Sequence, residues 1–356
     1  MFILIDILLY YYMNAQLLVK HGSNNNYNYS KIDIPIANND NVVVRVMACA
    51  INNTDIWTKK GLYSKEGEDG WNPTFKLPII QGADISGYIH DCVNKKLIGK
   101  KVIVYPVINT KEYSNQLDII THCKYLGSEI NGGYAQYCKV PIDNIILVPH
   151  YCKLTYYELS SFPTAYMTAL HMINRTKLQK NSVSLVSGSS GGVGFALIEL
   201  LKSKNMNVIG LSSNGKKDRV EELTGIKIAS RNSHNLEEEL LNKNNGMLYD
   251  VVFDVVAGSL MDTFVNILKP NGTYVCSGAI GNREVSVYWP NFYLKHLNLL
   301  GSMLATKEEF LDLCFMIFNG RIKPQIYKIF LLKDLNEAHL EFESKKHIGK
   351  IILDCQ

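Results

Sequence analysis

The stretch from Val183 to Lys204 constrains this chain more than any other. SVSLVSG has the β-branched character of a strand, SSGGVG forms the turn that leaves it, and FALIELLKSK has the apolar spacing of a helix. A glycine-rich turn between a strand and a helix gathers backbone N–H groups and the positive end of a helix dipole at one point. That arrangement suits a pyrophosphate. Gly188 serves the tight turn; Gly191 and Gly192, flanked by Ser190 and Val193, let the backbone approach the phosphates; Gly194 lets the helix pack closely on its strand. The alternation continues through NVIGLSS, a helix from Lys216 to Leu223, YDVVFDVV, a helix from Ser259 to Leu268, and GTYVCSG. This βαβ pattern predicts an α/β fold with a parallel sheet.

The second strand of this series ends in Ser212, Ser213 and Asn214. A site that prefers NAD needs an acidic residue about 20 positions after the glycines, to take the ribose hydroxyls. Here two hydroxyls and an amide stand in that place, with Lys216 and Lys217 just beyond. They can bond and neutralise a 2′-phosphate, which an Asp or Glu would repel. The expected cofactor is therefore NADPH (NADP), held at Ser212, Ser213 and Lys217. Ser277 and Gly278 end the strand after LKPNG, where open α/β sheets present ligands.

The N-terminal part differs. From Asn41 to about Pro149, short β-branched runs are broken by Gly, Pro and Asn, which predicts a compact, mostly β domain. Two long polar stretches, Lys59 to Lys76 and Asn109 to Asn131, lack a clear period. With 356 residues the chain has room for two domains. Its 37 basic residues against 33 acidic ones leave no electrostatic case for a nucleic-acid partner. The leading MFILIDILLYYY is too short to span a bilayer and lacks the marks of a signal peptide, so no membrane association is expected. Eight cysteines without a CxxC pair suggest free thiols in a reducing compartment, hence a cytoplasmic protein.

Several ordered motifs together carry a resemblance: ACAINNTDIW, QGADISG, LGSEINGGYAQYCKVP, VSGSSGGVG, DVVFDVVAG with LKPNGTYVCSGA, and KKHIGKIIL. From Asn14 to Asp354 the sequence resembles the medium-chain dehydrogenases/reductases, and within them the zinc-independent quinone oxidoreductase and enoyl reductase branch. The resemblance implies a GroES-like β-barrel catalytic domain from residues 13–152 and 307–356. Between these it implies a Rossmann doubly wound parallel-sheet domain, residues 153–306, with residues 1–12 left as an N-terminal extension. It also implies an active site in the cleft between the domains, and a homodimer paired through the Rossmann sheet edge at VSVYWPNFYLKHLNLLGS.

The zinc-dependent branch places a Cys where this chain has Asn52, a His where it has Ala83, and a third Cys near Thr164. Its structural zinc lobe uses four cysteines, whereas Asn109 to Asn131 holds only Cys123. No zinc is expected, and His90, Cys92 and His122 are taken as polar or core side chains. The metal-free branch implies Asn52 and Tyr63 as catalytic residues, Asn52 donating to a carbonyl or to the nicotinamide ribose and Tyr63 supplying a proton. Asp55 would orient the loop by backbone bonds. Tyr134 and Lys350 fall in family motifs; Lys350 is assigned to the cofactor, with a structural role open for both. Trp57, Trp71 and Tyr166 are weaker candidates for pocket lining, and His171 is taken as structural. The expectation is an NADPH-dependent, zinc-independent oxidoreductase that reduces quinones or α,β-unsaturated carbonyl compounds, its partner a small-molecule substrate. A zinc-type alcohol dehydrogenase and a catalytically idle nucleotide-binding protein stand as alternatives.

Overall fold

A computed structural model describes residues 11–22, 26–63, 76–108 and 123–356. The chain divides into two units, Met1–Thr164 with Thr306–Gln356, and Ala165–Ala305. The first begins with β1 (Tyr12–Leu18), β2 (Tyr27–Asp33), β3 (Asn41–Ala50), α1 (Asn53–Lys60), β4 (Ile79–Ile80) and β5 (Asp84–Asp91). It continues with β6 (Lys101–Val104), β7 (Val107–Ile108), β8 (Lys124–Tyr125), β9 (Tyr137–Pro141), β10 (Ile145–Leu147) and α2 (Tyr156–Ser160). α3 (Pro163–Asn174) then leads into the second unit.

The centre of the first unit is β3, whose sequence NVVVRVMACA is apolar on both faces because both are covered. β3 pairs antiparallel with β5, placing Ala50 opposite Asp84, and with β9 along its first half. The chain returns to the same sheet after the second unit. There α9 (Lys307–Phe318), β17 (Ile326–Leu331), α10 (Leu335–Glu343) and β18 (Lys350–Asp354) complete the unit, and β18 lies between β3 and β17 with Ile352 opposite Ala50. Val44, Val46, Ile51, Ile85, Tyr134, Ile351 and Leu353 fill one core. Three chain segments therefore meet at one point: the end of β3, the start of β5 and the start of β18.

The second unit holds β11 (Val183–Val186), α4 (Gly192–Ser203), β12 (Asn207–Ser212), α5 (Asn214–Thr224), β13 (Ile228–Ser230) and α6 (Leu236–Lys243). β14 (Tyr249–Asp254), α7 (Met261–Ile267), β15 (Leu268–Cys276), α8 (Trp289–Leu294) and β16 (Asn298–Gly301) follow. All six strands are parallel, in the order β13-β12-β11-β14-β15-β16. The strand order reverses between β11 and β14, which makes the carboxyl ends there the ligand end of the sheet. α4 buries Phe195, Ala196, Leu197, Ile198, Leu200 and Leu201, as its apolar sequence requires, whereas α5 buries only Val220 and Thr224. The fold is thus α/β, a GroES-like unit with a Rossmann-type sheet unit.

The boundary expected after Cys152 falls before the change of unit at Thr164. The intervening residues belong to the β-rich unit: Lys101 Nζ donates to Leu154 O at 2.5 Å, Ser86 Oγ to Tyr156 O at 2.6 Å, and Thr164 N to Asp84. Of the expected N-terminal extension, residues 1–10 lie outside the described residues, and β1 starts at Tyr12 opposite Asp33. Residues 64–75 and 109–122, most of the two long polar stretches, also lie outside the described residues, together with Trp71 and His122. Among the described residues no helix is long and apolar enough to cross a membrane.

Candidate functional site

The glycines of the β11–α4 turn separate into two kinds. Gly188 has φ 57°, and a side chain there would meet the Val256 methyl at 2.9 Å. A Cβ on Gly194 would stand 2.2 Å from the Gly188 carbonyl oxygen, so the first turn of α4 needs a glycine to lie against the strand's end. Gly191 differs. It caps α4 with φ −82° and ψ 170°, a conformation open to any L-residue, and a Cβ would meet only Gly188 O at an ordinary 3.4 Å. The protein itself does not need a glycine at 191, and the space beside it suits an approaching phosphate. Gly191, Gly192 and Val193 are half-buried at the α4 N-terminus, and Ser190 is buried. Ser189 Oγ donates to Leu211 O at 3.0 Å, tying the turn to β12.

Asp254, fully buried at the end of β14, organises the neighbouring strand ends. One of its oxygens accepts from the Ser187 hydroxyl, from Val256 N at 2.8 Å and from Ala257 N at 3.1 Å; the other accepts from Tyr274 OH at 2.7 Å. Burial and the Asp254 charge push the Tyr274 phenol well up, so it stays a donor. Ser277 N donates to Asp254 O at 3.0 Å, and Gly278, with φ 136°, lies close to Val255 O. In the sequence Asp254 shows only as an acid closing a mostly apolar strand, YDVVFD, which also carries Asp250 near its start.

At the end of β12, Ser212 is buried and its Oγ has no hydrogen-bond partner among the described residues. Ser213 caps α5 and its carbonyl accepts from the backbone N–H groups of Lys216 and Lys217. The Asn214 carboxamide oxygen accepts from the Ser230 hydroxyl. Arg231, one residue beyond β13, donates its backbone N–H to Ser212 O at 2.7 Å. Burial, and then the Arg231 charge, lower the pKa of Lys216. Arg231 was not singled out from sequence, since only the parallel pairing of β12 with β13 brings it to Ser212. An orphaned hydroxyl, an unneeded glycine and a cationic margin fit a nicotinamide nucleotide.

The first unit builds a different cluster. Asn52 follows β3 and caps α1, its backbone N–H donating to Asp55 Oδ2 at 2.8 Å. Its amide nitrogen donates to Asp84 Oδ2 at 2.9 Å, and its amide oxygen accepts from Lys350 Nζ. Lys350 also donates to Ile51 O at 2.9 Å and to Asp84 Oδ2 at 3.3 Å. The other Asp84 oxygen accepts from Thr164 N at 2.8 Å and from the Thr164 hydroxyl, which meets Tyr125 OH at 2.6 Å. Asn52, Asp84 and Lys350 are 7%, 0% and 4% exposed, so the cluster is a buried ion pair with an amide across it. Lys350, expected at the cofactor, instead gives all three N–H donors to the protein. Asp55, also buried, is pushed up to about 6, chiefly by burial, although Asn52 N and Tyr134 OH both donate to it. Tyr134 is thereby a core residue.

The family to which the resemblance points includes zinc enzymes, so the donor set bears on that metal. Around Asn52, Ala83 and Thr164 the structure offers an amide, a methyl and a hydroxyl, one carboxylate already accepting four hydrogen bonds, and an ammonium. A cation lodged in the cluster and the lack of thiolate or imidazole do not fit zinc. Cys123 is buried and its thiol pushed up to about 12, which keeps it protonated. Among the described residues no group of three or more His, Cys, Asp or Glu gathers.

Tyr63 follows the far end of α1, which Asn52 begins, and its ring tilts against Trp57 at 5.5 Å. Eight helical residues separate the two ends by about 12 Å. Tyr63 thus leaves α1 at the end opposite Asn52. Tyr166 and His171 are buried on α3, His90 is exposed against Tyr137, and Cys92 Sγ donates to Asn94 O at 2.9 Å. A cavity of about 330 Å³ lies at the amino ends of the second unit's strands, lined in part by Arg175, Lys177, Ser182, Asp250, Lys269 and Asn298. It faces away from the glycine turn's end of the sheet, and its Lys269 is paired with Asp250 at 2.9 Å.

Two family descriptions match the sequence, "Alcohol dehydrogenase GroES-like domain" over residues 38–150 and "Zinc-binding dehydrogenase" over residues 192–317. A solved structure from Sinorhizobium meliloti, described as an alcohol dehydrogenase, superposes with a TM-score of 0.90 at 31% identity, covering 96% of each chain. Among curated relatives, the acryloyl-coenzyme A reductase of Sulfurisphaera tokodaii is 24% identical, over 94% of this chain and 98% of its own. The quinone oxidoreductase of Lama guanicoe is 23% identical, over 91% and 92%.

Proposed function

We propose, from the premise that this chain belongs to the medium-chain dehydrogenase/reductase superfamily, that it reduces quinones or α,β-unsaturated carbonyl compounds with NADPH and without zinc. Oxidoreductase activity with a nicotinamide cofactor follows from the family; the substrate class and the 2′-phosphate are this reading's own. The observation that carries it is the Asn52 amide, hydrogen-bonded between Asp84 and Lys350 at a centre without metal-ligand chemistry. A fixed amide donor can hold a carbonyl oxygen as negative charge develops on it. The names of the acryloyl-coenzyme A reductase and quinone oxidoreductase relatives agree with that use.

Gly191, Gly192, Val193 and Gly194 would receive the pyrophosphate, and Ser212, Ser213 and Lys217, with Arg231, the phosphorylated ribose. The bound nicotinamide supplies hydride. Asn52 then holds the carbonyl oxygen, and Tyr63 or a water supplies the proton that balances the reduction. Ser277 and Gly278 would line the nicotinamide end. In the same reading the protein is a homodimer paired along β16. That edge strand carries Leu299 half-exposed, near the exposed Tyr288, Trp289, Tyr293 and Leu294, with only its β15 side paired. All eight cysteines are unpaired, in keeping with a reducing, cytoplasmic setting.

The test is NADPH oxidation by metal-stripped protein over a panel of quinones, enones and enoyl thioesters. Turnover insensitive to chelation is expected. Turnover only after zinc is added would support the alcohol dehydrogenase alternative, and tight NADPH binding without turnover, with or without zinc, would support the idle nucleotide-binding one.

A further inference from the structure

The place that the resemblance gives to a metal is filled here by an amine, and we propose that Lys350 is a positioning residue that sets the direction of the Asn52 amide. The proposal rests on the reading of Asn52 as the group that holds the substrate oxygen. An amide can sit either way round, and only its neighbours decide which end is nitrogen. Lys350 Nζ can only donate, and it faces the Asn52 oxygen. Asp84 Oδ2, when ionised, can only accept, and it faces the Asn52 nitrogen at 2.9 Å. A flip would set donor against donor and acceptor against acceptor.

One Asn52 N–H is fixed on Asp84, and among the described residues none accepts from the other, which leaves it as a donor in a defined direction. Lys350 acts on both sides of this arrangement, binding the amide oxygen directly and neutralising Asp84 at 3.3 Å. Without Lys350 the Asn52 oxygen would lose its donor, and Asp84, which has no exposure, would lose its counter-charge. The remaining two contacts of the ammonium and carboxylate, Ile51 O and Thr164, hold the pair in place from the ends of β3 and the start of α3.

Lys350→Met alone would leave Asp84 buried without its counter-charge, so the comparison uses Asp84→Asn/Lys350→Met, which removes both charges, beside Lys350→Arg, which keeps one. Three readouts are taken: NADPH affinity by fluorescence, kcat and KM with the best substrate of the panel, and the Asn52 side-chain amide resonances in a nitrogen-15 spectrum, assigned by their loss in Asn52→Ala. The double variant is expected to bind NADPH within threefold of wild type. Its kcat should fall about a hundredfold, the effect of losing one aligned donor, with KM changed less than threefold. In an Asn52→Ala background the same two changes should cost less than threefold more. Lys350→Arg should recover at least tenfold of the lost kcat, and the shifts of the two Asn52 amide protons, set in wild type by the contacts to Asp84 and Lys350, should change in the double variant. A double variant with wild-type kcat, or losses that multiply in the Asn52→Ala background, would overturn the proposal. If wild type turns over nothing, the functional reading fails by itself; unchanged Asn52 resonances in the double variant would then sink the positioning role separately.

Discussion

Gly191→Ala and Gly194→Ala each add one methyl group to the same turn, yet the structure gives them opposite consequences. At 194 the new Cβ would lie 2.2 Å from Gly188 O and 2.7 Å from its carbonyl carbon, both backbone atoms, so the turn or the helix must shift. Overpacking of this kind costs about 1 to 3 kcal/mol, and backbone contact puts it at the upper end. The better helix propensity of Ala returns up to about 1 kcal/mol, leaving a net loss of roughly 2 kcal/mol. For a unit of this size that lowers Tm by roughly 4 to 8 °C. At 191 the Cβ meets only an ordinary contact at 3.4 Å, and the cost is the weaker helix cap, under about 1 kcal/mol. Its effect should appear instead in nucleotide affinity, a loss of at least tenfold, or ~1.4 kcal/mol, if a phosphate occupies that space. Thermal melts without nucleotide, paired with fluorescence titrations of NADPH, separate the two. Wild-type affinity in Gly191→Ala, or a wild-type Tm in Gly194→Ala, would refute the division between a ligand glycine and a packing glycine.

Other outcomes follow from the same geometry. Asp55 has a folded pKa of about 6 against an ordinary 3.8, because burial outweighs its hydrogen bonds from Asn52 N and Tyr134 OH. The folded state therefore holds this proton more tightly than the unfolded chain, and stability should fall by roughly 3 kcal/mol as pH rises from about 4 to above 6. Asp55→Asn should flatten that part of the urea-unfolding profile, and an unchanged slope would contradict the burial argument. Ser212→Asp places a carboxylate where the 2′-phosphate is proposed to sit, so the NADPH to NADH preference in kcat/KM should move toward NADH by at least tenfold. Leu299→Lys on β16 should give a monomer in sedimentation if that edge pairs two chains, and a persistent dimer would place the interface elsewhere.

The second unit was legible because its signals are local: a glycine turn, helical spacing and short apolar runs follow one another, and right-handed crossovers leave few ways to arrange them. The α5 helix expected from Lys216 to Leu223 runs Asn214–Thr224. What escaped depends on pairing between distant segments. Arg231 reaches Ser212 only through the β12–β13 register, and Asp254 gains its partners only when β11, β14 and β15 lie side by side. Lys350 shows the limit most clearly. A motif placed it at the cofactor, but its carboxylate partner lies 266 residues away, and no linear pattern shows where an amine with three free donors will find acceptors. The same holds for Thr164, which sits in the first turn of α3 and donates to Asp84 80 residues earlier.

The return of the chain into the first sheet at β18 also sets an order of events during synthesis. Ile51 emerges early, but the Lys350 amine that donates to its carbonyl is made 299 residues later. The parallel sheet of the second unit, contained within Ala165–Ala305, has all its strands by then and can close first. A ribosome that stalls or terminates between residues 306 and 350 would release a chain with a finished nucleotide turn and an unfinished Asn52 centre. Such a fragment would carry Asp84 without its ammonium and β3 with an open edge, a species prone to aggregate and to sequester nucleotide without turning it over.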